Sequence, residues 1–258
     1  MPGQVEEYFQ PLDVGERFSF ACHRGVACFT ECCRQLDLAL TPYDVLRLKQ
    51  RLGLDSRTFL EQYVIIERNE QSPFPVCYLT MVDDGRASCV FVSSGGCTVY
   101  ADRPGACRCY PVGRGVSRTA EGGLVERFVL IREPHCRGFE QPRELDIETY
   151  FHEQELGEYN RYNDALVPLL QHERVRQGFR ANQEQQELFI LALYDLDRFR
   201  RELTAGRLLP GRAVRRGEFL DLPGDDRELL LLGIRFLIHE FFSDHDSAAQ
   251  MGQHEQDG

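Results

Sequence analysis

All ten cysteines of this chain lie between Cys22 and Cys136, and the remainder of its 258 residues has none. Four of them, Cys22, Cys28, Cys32 and Cys33, crowd the stretch "FACHRGVACFTECC", and two are adjacent. A chain of this length buries roughly 70–75% of its unfolded surface on folding, so it needs no disulfides to hold a core. Met1 to Gln10 carries Glu6 and Glu7 and lacks the basic and apolar regions of an export leader. No stretch reaches the roughly 18 apolar residues of a membrane span. The expectation is a soluble, cytoplasmic protein without a membrane partner. In a reducing compartment such cysteine density points to metal binding or redox chemistry, with a disulfide-stabilised protein as the third option. The net charge of −11 gives no global basic field, so no nucleic-acid partner is expected. Lys49 is the only lysine.

The cysteine boundary suggests a division near Gln141 to Arg143. Residues 1–141 are expected to form a small, loop-rich, cysteine- and metal-centred module, residues 142–243 a helical domain, and residues 244–258 a polar, disordered tail. The fold class is therefore α+β. "LTPYDVLRLKQRLGL" reads as a helix with Thr41 as N-cap, Pro42 in the first turn, Asp44 near the positive end of the dipole and Gly53 as terminator. "RTFLEQYV" after Ser56 suggests a second short helix, with Phe59 and Tyr63 four apart. Val76 to Val92 reads as extended segments turning at Asp83, Asp84 and Gly85, and "GLVERFVLIRE" as a strand. Beyond Gln141, Leu188, Ala192, Leu196, Phe199 and Leu203 follow the helical period, as do Leu230, Ile234, Leu237 and Phe241. Glu148 to Glu173 is a weaker helix, broken near Pro168. Such short N-terminal elements gain most from a metal clip, because ligation adds folding energy that scattered strands lack.

On a helical turn Cys28 and Cys32 share a face and can grip one ion. Cys33 then points about 100° away, so adjacent cysteines suit two metal sites or two corners of a polynuclear cluster. Partners come from Cys89 and Cys97, from Cys107 and Cys109, and from Cys136. Zinc sites and iron-sulfur clusters both commonly take four such ligands. Arg103 and Arg108, near Cys107, are candidate donors to sulfur. Cys109 is an alternative ligand, because in an extended segment it shares a face with Cys107.

"FACHRGVACFTECC", "CVFVSSGGCTVYADRPGACRCYPVG" and "PHCRG" together resemble the bacterial YkgJ-like cysteine-cluster family of zinc- or iron-chelating proteins. Its pattern maps onto Cys22, Cys28, Cys32 and Cys33, then Cys89, Cys97, Val99, Tyr100, Arg103, Pro104, Cys107, Arg108, Tyr110, Pro111 and Cys136. The resemblance implies that these eight cysteines bind zinc or iron, an iron-sulfur cluster included. The first spacings, five and three residues, are wider than the family's usual two, and bear most on Cys22. The wide first spacing also resembles flagellin lysine methylases, which implies an alternative: an iron-sulfur enzyme using S-adenosylmethionine for protein methylation, or a redox protein.

Other sites are weaker. "VGRGVSR" lacks the third glycine and the helix of a phosphate loop, and reads as a turn. Neither "FHEQEL" nor "IHEFFSDH" has the paired histidines of a zinc protease. His23 and His135, beside cysteines, are expected to be polar neighbours of the site more often than ligands. No nucleophile, histidine and acid set can be assembled from sequence, so no catalytic residue is assigned.

Overall fold

The computed structural model of the chain describes residues 8–69, 72–119, 121–208 and 224–243. The expected tail, 244–258, lies outside the described residues. Strands β1 (Phe9–Leu12) and β2 (Phe18–Ser19) precede the first cysteines, whose last members close a 3-10 turn at Glu31–Cys33. Helices α1 (Pro42–Leu52) and α2 (Ser56–Tyr63) follow. Short strands come next: β3 (Val64–Glu67), β4 (Val76–Leu79), β5 (Met81–Val82), β6 (Ser88–Cys89), β7 (Val92–Ser93) and β8 (Gly96–Cys97). Helix α3 (Gly105–Cys109) leads into the longer β9 (Val112–Arg118) and β10 (Leu124–Ile131), and then β11 (Glu144–Leu145). Helices follow: α4 (Ile147–Glu153), α5 (Leu156–Leu170), α6 (Glu173–Arg176), α7 (Gln183–Leu193), α8 (Leu196–Thr204) and α9 (Asp226–Phe242). The fold class is α+β, with strands before helices.

Local chemistry explains most of these boundaries. The Thr41 hydroxyl accepts the Asp44 N–H, the Asp44 carboxylate accepts the Thr41 N–H at 2.8 Å, and Gly53 ends α1 at φ 66°. Helix α2 is capped by Asp55, whose carboxylate accepts the Thr58 N–H at 3.0 Å, while the Ser56 N–H and hydroxyl donate to Asp197 at 2.7 and 2.8 Å. The expected hairpin forms as β5 against β6, with Gly85 at φ 76°. "VGRGVSR" is a strand, not a turn. It pairs with β10, and Gly113 is required there because an added Cβ would stand 2.7 Å from the Val129 side chain across the sheet. Pro168 lies inside α5, which runs on to Leu170; the break comes earlier, at Glu155, with φ 53°. The long apolar stripe from Leu188 to Leu203 is divided at Tyr194–Asp195 into α7 and α8.

The residues on either side of position 141 pack into a common core. Tyr43, Leu46, Leu48 and Phe59 from α1 and α2 join Tyr159 and Tyr162 of α5, Phe199 of α8 and Leu237 of α9. Tyr43 stacks on Tyr162 with ring centres 4.4 Å apart. The lone lysine lies inside this assembly. Lys49 is 5% exposed and its ammonium meets Asp197 and Asp226, each at 2.9 Å, tying α1 to α8 and α9. A smaller core of Leu12, Phe18, Phe20, Val112, Leu130 and Tyr150 joins the three-stranded sheet β1-β10-β9 to α4. Among the described residues, no helix is long and apolar enough to cross a membrane.

Candidate metal centre

Every cysteine except Cys77 lines one cavity of about 980 Å³, and all ten are free thiols. Separate segments deliver them. The first is fixed at its start by the Phe20 N–H on the Arg143 carbonyl, 2.9 Å, and the Ala21 N–H on the Gly138 carbonyl, 3.1 Å. The Phe20 ring packs edge-on to Phe139, centroids 5.3 Å apart, so closely against Gly138 that a Cβ there would lie 2.4 Å from the ring. The chain then winds through tight turns, Phe29 N–H to Val26 O and Glu31 N–H to Cys28 O, both 2.9 Å. Thr30 sits at φ 70°, which interrupts any α-helical turn between Cys28 and Cys32. The two residues thus meet the cavity through a left-handed kink instead of the expected helical face.

The second and third segments are small hairpins. The Gln35 N–H bonds the Ala87 carbonyl at 2.9 Å, which sets the first segment beside β6 and Cys89. Cys97 pairs with Val92 in the β7–β8 hairpin. Helix α3 presents Cys107, and its Gly105 N–H donates to Asp44 Oδ1 at 2.8 Å. The carboxylate that caps α1 therefore also sets the start of α3. Last comes a turn closed by the Cys136 N–H on the Glu133 carbonyl, 2.9 Å, after which the Arg137 N–H donates to Cys28 Sγ at 3.1 Å.

Mutual electrostatics sort the thiols. Burial, and then the neighbouring Cys32, Cys28 and Cys136, push the Cys22 thiol up to about 11. Burial, and then Cys89, Asp44, Cys32 and Cys97, raise Cys107. Cys107 is solvent-accessible yet crowded on most sides, because the surface it exposes faces the cavity. Cys32 lies within the field of both sets. Its own thiol is raised first by a hydrogen bond to Cys33 and then by burial. A 3-10 turn carries the pair, and its three residues per turn set successive side chains about 120° apart.

Backbone N–H groups are aimed at several of these sulfurs. Arg137 donates to Cys28, Phe91 and Val92 to Cys89, Val99 to Cys97 and Gly138 to Cys136. Such donors favour thiolate over thiol, while crowding and burial oppose it; a cation among the sulfurs resolves the conflict. The donor set fits zinc or iron, both of which accept several thiolates. Among the described residues no three His, Cys, Asp or Glu side chains stand close enough together to hold a metal ion; the cysteines line the cavity wall.

Cys109 and Arg108 are placed differently from their expected roles, while Cys77 and His23 take positions of their own. Because α3 is helical, Cys109 does not share a face with Cys107; burial pushes its thiol up to about 12, and the charge it feels is that of Arg114. Cys77 is fully buried in β4, beside the Tyr194 hydroxyl. The Arg108 guanidinium donates to the carbonyls of Ala101, Arg103 and Gln154, not to sulfur. Arg103 donates to Tyr100 O at 2.7 Å and to Gln154, and its charge favours thiolate at Cys22 and Cys97. His23 Nδ1 accepts the Gly25 N–H at 3.1 Å, closing its own turn. Glu133 and the Tyr110 hydroxyl also line the cavity. Sequence reasoning assigned Glu133 no role, although Glu133-Pro134 opening a turn three residues before Cys136 is a legible signal.

Residues 21–137 match the model of the CxxCxxCC family, described as a "putative zinc- or iron-chelating domain". This is the family to which the ordered cysteine pattern pointed. No curated protein and no solved structure matches the chain.

Proposed function

We propose, from the membership of residues 21–137 in the zinc- or iron-chelating cysteine-cluster family, that this chain holds its metal in two adjacent thiolate centres within a reducing, cytoplasmic environment. Cys22, Cys28 and Cys136 serve one, and Cys89, Cys97 and Cys107 the other, with adjacent Cys32 and Cys33 at the junction. The observation that carries this reading is the convergence of thiols from separate segments on one cavity, several under backbone N–H donors. These thiolates would hold the ion, shedding their protons to water as they ligate. The metal supplies cross-linking of segments that have little secondary structure of their own. Arg103 offsets part of the negative charge such centres accumulate.

The test is anaerobic purification of the full chain, with zinc, iron and acid-labile sulfide counted per chain and the visible spectrum recorded. Stoichiometric zinc in colourless protein, or iron in coloured protein, is the expected result, and inorganic sulfide matched to iron identifies a cluster. Full-length protein without metal, its thiols paired as disulfides, overturns the reading.

A further inference from the structure

The cavity contains donors that eight thiolates leave unused. Glu133 and His135 lie on the turn that ends at Cys136, and both line the cavity. His135 Nε2 stands 3.7 Å from Glu133 Oε2, and the two side chains are 43% and 40% exposed. They thus face solvent and the thiols at once. Behind them the Tyr110 hydroxyl is buried without a well-aligned hydrogen bond, facing the Cys136 sulfur and the Glu133 carboxylate. Cys136 follows His135 directly, and Arg137 N–H to Cys28 Sγ at 3.1 Å joins this turn to the first cysteine segment.

We propose that Glu133 and His135 form a capture site for a hydrated divalent cation at the mouth of the cysteine cavity, from which the ion passes to Cys136 and the thiols behind it. The inference rests on the metal-binding reading above. A carboxylate oxygen and an imidazole nitrogen side by side at the solvent-facing edge of the cavity are donors that zinc and ferrous ions accept while keeping part of their water shell. A carboxylate at a cavity mouth also raises the local concentration of cations and their rate of arrival. The ion then exchanges water and the two rim donors for sulfur, one ligand at a time. Each thiol proton leaves to water, and the rim pair is freed for the next ion.

Metal uptake kinetics by the full chain test this. The metal-free, reduced protein is mixed rapidly with Co(II), and the sulfur-to-cobalt absorption is followed for the natural chain, Glu133→Gln, the Glu133→Gln/His135→Gln double variant, and Glu148→Gln as a charge-matched exposed control. The double variant is expected to load on the order of tenfold more slowly. Glu133→Gln alone should show a smaller slowing and Glu148→Gln none, with final cobalt per chain and final spectrum unchanged throughout. Equal rates in all four proteins overturn the capture site while leaving the thiolate centres standing. A changed final spectrum or stoichiometry in Glu133→Gln also overturns it, because Glu133 would then belong to the resting centre. Failure of the natural chain to take up cobalt overturns both readings.

Discussion

Phe59, Phe199 and Leu237 lie fully buried on helices of eight residues or more, whereas Cys32, Cys89 and Cys97 sit on elements of two or three residues. The helical side is closed by apolar packing and by one satisfied ionic knot at Lys49. The cysteine side is closed by single backbone hydrogen bonds between loops, around sulfurs that crowd one another. Helix and apolar contact hold the first region without assistance. The second brings its thiols to one cavity on short elements, and under the proposed function an ion would bind those segments together.

Removing the metal should separate the two regions most sharply. In the metal-loaded protein, a strong chelator or Cys32→Ser should abolish amide-exchange protection in residues 20–36 and 88–110 while α9 keeps its own. Structural zinc contributes about 10–16 kcal/mol in small zinc domains, so the loss should be close to total. Equal loss across both regions would mean that they are one cooperative unit. In the other direction, Phe199→Ala should cost about 3–5 kcal/mol, measured by urea unfolding, while bound metal per chain stays constant below the transition.

Lys49→Met comes next. It removes one partner from each of Asp197 and Asp226, which keep Ser56 and Arg200 respectively, and because both carboxylates are partly solvated the cost should be about 1–3 kcal/mol, below that of a sealed pair. The same knot predicts an acid response. Burial alone raises the Asp197 carboxyl, but the Ser56 N–H, Lys49 and the Ser56 hydroxyl outweigh it and hold it below the usual carboxylate range. Its contribution is thus complete above the unfolded value of about 3.9 and is lost as pH falls through the lower folded value. Acid titration of stability should show this loss in the natural chain and a smaller one in Lys49→Met, where the Ser56 N–H and hydroxyl still hold the carboxylate. The smallest effect is Thr41→Ala, which removes one side of the α1 capping box and should cost about 1 kcal/mol in a thermal melt.

What could be read from the sequence follows the range of the interactions. The α1 cap, the Gly85 hairpin, β10 and the apolar face of α9 depend on residues within a few positions of one another. Strand β9 was hidden because Gly113 and Gly115 look like a turn until Val129 is set across from the first of them. The cysteine pattern pointed to the family, but Thr30 at φ 70° and the helical α3 changed which sulfurs face one another. Arg108 beside Cys107 in sequence invited a bond to sulfur, yet three backbone carbonyls take its guanidinium. The shared core and the Lys49 knot join residues roughly 150 positions apart, beyond the reach of local pattern.

The contact between Arg137 N and Cys28 Sγ spans 109 positions of the chain. An ion held jointly by Cys28 and Cys136, as proposed, would close that span into a ring, as a covalent cross-link does, and so limit the unfolded ensemble as well as the folded one. For a loop of about a hundred residues the chain-entropy model puts such closure near 4.7 kcal/mol. Because α1, α2 and the strands β3 to β10 all lie within the ring, such an ion would restrain segments that its ligands never touch.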